Sequence, residues 1–221
     1  MSERLILALD VDSIQEAGRL VRLFRDKVSL YKVGLSLFTS AGPDVVRMIQ
    51  DEGGRVFLDL KFHDIPNTVA RACELAARLH VFMMNLHARG GVEMMKAAAA
   101  AVGDRSILLG VTVLTSDVET KDTRSEVVRL ATEAKNSGLG GVVCSAQEAR
   151  SVREACGQGF VIVTPGIRPA EGHTKDDQRR TMTPSEALQN GSDYLVVGRP
   201  VLESTNPIQA LDSILSEMGE T

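Results

Sequence analysis

One pattern constrains this chain more than any other. Eight short apolar segments alternate, from end to end, with longer segments of helical spacing. The candidate strands are RLILALD (4–10), SLYKVG (29–34), RVFLDLK (55–61), VFMMNLH (81–87), SILLGVTVLT (106–115), GGVVCS (140–145), FVIVTPG (160–166) and DYLVVG (193–198). Between them lie segments such as IQEAGRLVRLF, PDVVRMIQDEG, TVARACELAARL, VEMMKAAAAAV and SEVVRLATEAKNSG, with apolar residues at helical intervals and several terminal glycines. Strand and helix in strict rotation imply parallel pairing through right-handed crossovers. Eight such units in 221 residues predict a closed (β/α)8 TIM barrel, a single domain over residues 1–221. An open doubly wound sheet is the competing fold. It usually has fewer strands, and its phosphate-binding forms often open with a glycine-rich turn. The first turn here, LDVDSIQEAG, has no GxGxxG, and no GK[ST] occurs anywhere.

Composition narrows the class of function. Apolar residues make up 43% and charged residues 24%, which suits one globular core. The net charge is −4 and the pI about 5.6, with no basic run, so no nucleic-acid partner is expected. No apolar stretch reaches membrane-spanning length, so no membrane partner is expected either. The opening MSERLILALDVD reads as a strand rather than a signal peptide, because its apolar run ends in aspartates. Cys73, Cys144 and Cys156 are widely spaced without ligand spacing; buried thiols and a cytoplasmic location are the expectation.

In a barrel of this kind, chemistry sits where strands end. The first candidate strand ends in Asp10, the second carries Lys32, the third ends in Asp59-Leu60-Lys61 with Asp64 just beyond, and the fourth ends in Asn85-Leu86-His87. The fifth ends in Thr115, the seventh leads into Arg168 and the eighth into Arg199. A strand's period of two puts Asp59 and Lys61 on one face, with Leu58 and Leu60 on the other. Such a pair at a barrel rim is costly to desolvate unless further charges compensate; Asp10, Lys32 and Asp64 are placed to make an alternating array. The plainer alternatives are an ordinary rim ion pair, worth roughly 0–1 kcal/mol, and, for Asp64, a carboxylate favouring the helix start at Pro66. His63 and His87 lack ligand spacing and read as structural, so no metal is expected. Gly166, Gly198 and Arg199 at the last strand ends suggest a phosphate site. The polar stretch RPAEGHTKDDQRRTMT, between Ile167 and Pro184, is long for a barrel turn and reads as a lid.

Together these residues resemble the orotidine 5′-phosphate decarboxylases, in their compact bacterial form. The resemblance runs through LALDVD, YKVG, DLKFHDIPNT (59–68), VTVLTS (111–116), TPGIRP (164–169), DDQRR (176–180) and VVGRP (196–200). It implies the last step of UMP biosynthesis, the decarboxylation of orotidine 5′-phosphate to uridine 5′-phosphate. It also implies that Lys61 donates the proton to C6, that Asp59 lies beside the substrate carboxylate, and that Lys32 and Asp64 complete the array. Lys32 and Asp10 would reach the ribose hydroxyls, Thr115 would position the pyrimidine, and Gln178, Arg199 and the Gly198 backbone would hold the phosphate, with Arg168 lining the same site. Members of this family are homodimers; by the same resemblance Asp64, Ile65 and Thr68 enter the partner's site.

The chemistry agrees with the residues. Loss of CO2 leaves a carbanion in the ring plane, poorly delocalised. No cofactor motif offers an electron sink, so no cofactor is expected and fixed charge must stabilise it. Two rivals share the barrel. Magnesium-dependent 3-keto-gulonate-phosphate decarboxylases and hexulose-phosphate synthases resemble this chain in Asp-x-Lys-x-x-Asp, but carry an acidic metal ligand near the end of strand two, where this chain has Lys32. The other rival is a non-catalytic nucleotide-binding barrel.

Overall fold

The computed structural model describes residues 1–115, 120–169 and 181–220. Eight parallel strands close into a barrel in chain order. They are β1 (Ser2–Ala8), β2 (Val28–Gly34), β3 (Arg55–Phe62), β4 (Met83–His87), β5 (Ile107–Val111), β6 (Gly141–Val143), β7 (Val161–Thr164) and β8 (Tyr194–Val197). Helices Ile14–Phe24 and Val92–Val102 match their predicted segments end for end. Helix Leu35–Ala41, directly after β2, is not evident in the sequence, since one short amphipathic turn carries little periodicity.

Strand alternation builds two cores. On β1, Leu5 and Leu7, and Leu9 just past its end, point outward into the large layer between barrel and helices. Ile6 and Ala8 point inward, where they meet Leu30, Phe57, Met83, Leu109, Val163 and Val196 in a compact plug. At the amino ends of the strands, the Arg55 guanidinium lies 4.5 Å above the Phe82 ring, and Phe82 meets Tyr194 edge-on. This plug closes the barrel below and leaves the carboxyl ends as the place for polar groups.

Close packing inside the barrel sets strict demands on β6. A Cβ on Gly141 would collide with the carbonyl oxygen and Cβ of Val161 and with the side chain of Leu109. Backbone on a paired strand cannot step aside, so Gly141→Ala should destabilise the fold by about 1–3 kcal/mol. Denaturant unfolding checks this; an unchanged midpoint would mean that β6 and β7 separate without cost.

The strands stop earlier than their apolar runs suggest. β5 ends at Val111 rather than at residue 115. Its neighbour β6 is only three residues long, so the ladder runs out. Thr112 spends both its N–H (3.1 Å) and its hydroxyl (2.9 Å) on the Val143 carbonyl. Thr115 therefore lies in a turn beyond the sheet, not at a strand end. Asp10 and Gly166 likewise fall just past β1 and β7.

Candidate active site

One step above the apolar plug, the inward positions turn polar. Lys32 on β2, Asp59 and Lys61 on β3 and Asn85 on β4 occupy adjoining places at the barrel mouth. The Lys61 ammonium lies 2.6 Å from Asp59 Oδ1. Lys32 Nζ lies 3.6 Å from the other oxygen, Asp59 Oδ2, and 3.0 Å from Asp10 Oδ1. Carboxylate and ammonium thus alternate, Asp10–Lys32–Asp59–Lys61, across three strands. The Asp59 and Lys32 side chains are only 13% and 12% exposed, so the pair at the centre of the array is not a solvated rim pair, while Asp10 at its end is 54% exposed. Gly34 makes the crowding possible: a Cβ there would sit 3.2 Å from Lys32 Nζ.

Asp59 is the pivot. Burial pushes its carboxyl up, but the Lys32 and Lys61 ammoniums, with hydrogen bonds from Lys61 and Asn85, outweigh burial and hold it below the ordinary 3.8. It is therefore a carboxylate throughout the neutral range. Asn85 donates from Nδ2 to Asp59 Oδ1 at 2.7 Å and accepts the Lys61 N–H at Oδ1 at 2.8 Å. Sequence reading placed Asn85 at a strand end and gave it no role.

Asp59 and Lys61 do meet, as a strand's period of two predicts, but the strand between them is not regular. β3 is irregular here, and Lys61 has φ 51, in the left-handed region. A bulge, not plain alternation, brings the two side chains together.

Around this array opens a pocket lined also by Thr115, Gly166, Arg168, Gly198 and Arg199, with Val111, Val113, Val143 and Val196 as apolar wall. A charged corner, an apolar wall and two arginines suit a molecule with a flat ring and a remote anion. Gly198 must be small, since a Cβ would sit 3.0 Å from Asp10 Oδ2. The Arg168 N–H bonds the Met182 carbonyl at 3.0 Å, and Ile167 bridges Met182, so the two ends of the polar stretch are tied together. Gln178 lies outside the described residues, as does most of that stretch.

Asp64, Ile65 and Thr68 do not join the array within one chain. All three are exposed, Ile65 by 67%. The Asp64 carboxylate accepts only the Ile65 N–H, at 2.7 Å, among its described hydrogen bonds, while Ile65 is the N-cap and Pro66 opens the helix Pro66–Ala77. His63 and His87 meet ring to ring, centroids 5.5 Å apart. Burial first, then the neighbouring His63 and Lys61, hold His87 below its ordinary 6.5. Among the described residues, no group of three or more His, Cys, Asp or Glu side chains is arranged to hold a metal.

A larger hollow, about 620 Å³, lies at the opposite end of the barrel beside Arg55, His80, Asp104 and Arg105. No described hydrogen bond or ion pair joins these side chains to one another, and Arg105 bonds the Val102 and Ala101 carbonyls. The three cysteines are all buried thiols, and burial pushes the Cys73 thiol up to about 12. No helix among the described residues is long and apolar enough to cross a membrane.

Comparison with known proteins agrees with this geometry. The model of the orotidine 5′-phosphate decarboxylase / HUMPS family matches residues 3–214. The orotidine 5′-phosphate decarboxylase of Syntrophotalea carbinolica is 52% identical, over 98% of this chain and 95% of that protein. The enzyme of the same name from Geobacter metallireducens is 50% identical, over 98% and 96%. The crystal structure of orotidine 5′-phosphate decarboxylase from Lactobacillus acidophilus superposes with a TM-score of 0.80 at 34% identity, covering 98% of this chain and 99% of that one.

Proposed function

The chain belongs to the orotidine 5′-phosphate decarboxylase / HUMPS family, and from that premise we propose that it converts orotidine 5′-phosphate to uridine 5′-phosphate and CO2, the UMP-forming step of pyrimidine biosynthesis. The observation that carries this reading is the alternating Asp10–Lys32–Asp59–Lys61 array at the mouth of the barrel.

The mechanism follows from where the charges stand. The bond from C6 to the carboxylate breaks, and its electron pair stays on C6 in the plane of the ring. The Lys61 ammonium, fixed by Asp59, stabilises that charge without reorganisation and then gives C6 its proton. The amine regains a proton from water after CO2 has left. Lys32 and Asp10 take the ribose hydroxyls, and Thr115 orients the pyrimidine. Arg199, the Gly198 backbone and Gln178 hold the phosphate beside Arg168. That remote binding energy is what organises the charged corner. The barrier to be removed is roughly 20 kcal/mol, near the top of the enzymatic range.

The magnesium-dependent reading fits this chain less well. The Lys32 ammonium stands between Asp10 and Asp59 and neutralises the carboxylates a divalent cation would need. The catalytic unit is the whole barrel, residues 1–221, and it works as a homodimer. The exposed run His63–Thr68, with Ile65 as its apolar tip, supports a segment that is covered by a second copy and delivers Asp64, Ile65 and Thr68 to that copy's site. Three buried thiols fit a reducing cytoplasm.

Incubation with orotidine 5′-phosphate tests the activity. The pyrimidine absorbance should fall as uridine 5′-phosphate accumulates; folded protein that leaves the substrate intact overturns the proposal.

A further inference from the structure

We propose that Asn85 is the positioning residue of this site, its side-chain amide locking the irregular turn of β3 so that Asp59 and Lys61 stand together at the barrel mouth. The inference deepens the decarboxylase reading and rests on it for its kinetic consequences.

The register of the sheet is the starting point. β3 pairs with β4 through Leu58 opposite Met84, and resumes with Phe62 opposite Leu86. Three residues of β3, Asp59, Leu60 and Lys61, therefore face a single residue of β4, Asn85. A bulge of this kind leaves backbone groups without ladder partners and re-aims side chains. Lys61 absorbs the bend with φ 51, a conformation unfavourable for a residue with a Cβ. Its N–H turns away from the ladder and is taken at 2.8 Å by Asn85 Oδ1.

The other end of the same amide completes the arrangement. Asn85 Nδ2 donates at 2.7 Å to Asp59 Oδ1, the oxygen that also receives the Lys61 ammonium at 2.6 Å. One fully buried side chain thus fixes the backbone of the proton donor and the carboxylate that anchors its ammonium. Few side chains meet this demand. Aspartate has no donor when ionised, leucine has neither group, and glutamine is one carbon too long. The groups around Asp59 are Lys32 from β2, Lys61 from β3 and Asn85 from β4; His87, two residues on from Asn85, feels the charges of Lys61 and Asp59. Asn85 acts through Asp59 and Lys61 and needs no contact with substrate.

Asn85→Ala and Asn85→Asp, compared with wild type, test this. For Asn85→Ala, kcat should fall about 100-fold while KM and the affinity for uridine 5′-phosphate stay within about threefold, because the side chain of Asn85 is bonded to Lys61 and Asp59 on β3 and the proposed phosphate groups follow β8. Asn85→Asp needs a proton to donate to Asp59, so its kcat relative to wild type should rise as pH falls from about 8 to about 6, whereas the Asn85→Ala ratio stays flat. Wild-type kcat in both variants, or a parallel loss of kcat and nucleotide affinity, would overturn the proposal. If wild type itself leaves orotidine 5′-phosphate untouched, the activity fails, and the crystal structure of Asn85→Ala then decides the geometry. Lys61 leaving the left-handed region is expected, and an unchanged bulge would refute the positioning role.

Discussion

Lys61→Ala should lower kcat by about 100,000-fold while leaving KM within about tenfold of wild type. Two losses combine. A positioned proton donor is worth roughly 100- to 10,000-fold, and a fixed charge beside a developing anion roughly 100- to 1,000-fold. Nucleotide affinity should survive because the proposed phosphate groups, Gly198 and Arg199, follow β8, three strands round the barrel from β3. Lys61→Arg should not restore the rate, since a guanidinium keeps its charge but does not surrender its proton. Steady-state kinetics with a thermal melt separate this from misfolding. The alanine variant leaves Asp59 with Asn85 at 2.7 Å and Lys32 at 3.6 Å, enough to keep its charge accompanied. A kcat within tenfold of wild type would remove Lys61 from the chemistry.

Mixing two inactive proteins should restore activity. Lys61→Ala has an intact Asp64 but a dead barrel; Asp64→Ala has an intact Lys61 but gives its partner nothing. If Asp64 acts across the interface as proposed, then in a dimer with one chain of each the barrel that keeps Lys61 receives Asp64 from the other chain, and that site is wholly wild type. With free exchange, half the dimers are mixed and each holds one such site, so about a quarter of wild-type activity should return. Asp64 makes no described hydrogen bond or ion pair with the array of its own chain, and its neighbours Ile65 and Thr68 are exposed, which is the arrangement this result requires. Exchanged dimers that stay dead would show that Asp64 serves its own barrel or no barrel.

The order of elements was legible because alternation between apolar strand and amphipathic helix is a local property, repeated eight times. The strand ends were less so. β5 stops at Val111 because its partner β6 is short, and a partner's length cannot be read from SILLGVTVLT itself. The charged residues were legible too, since Asp59 and Lys61 interrupt the apolar run that follows Arg55 in β3, where an unused carboxylate and ammonium would cost desolvation energy for nothing. What joins them was not. The bulge in β3 exists only in relation to β4, so neither the left-handed turn at Lys61 nor the double role of Asn85 has a signature in one strand. Gly34 is a similar case. It reads as an ordinary strand terminus, yet a Cβ there would sit 3.2 Å from the Lys32 ammonium and press on it. Asp64 marks a further boundary, because in its own chain it looks like an exposed turn aspartate, and the proposed role in a second copy has no signature there.

The most direct measurement is turnover of orotidine 5′-phosphate by metal-stripped protein in excess chelator, with magnesium added back in a parallel reaction. A site run by fixed ammonium and carboxylate groups should give the same rate in both, with uridine 5′-phosphate and CO2 formed in equal amounts. Turnover that vanishes in chelator and returns with magnesium would contradict the charged array as the source of catalysis.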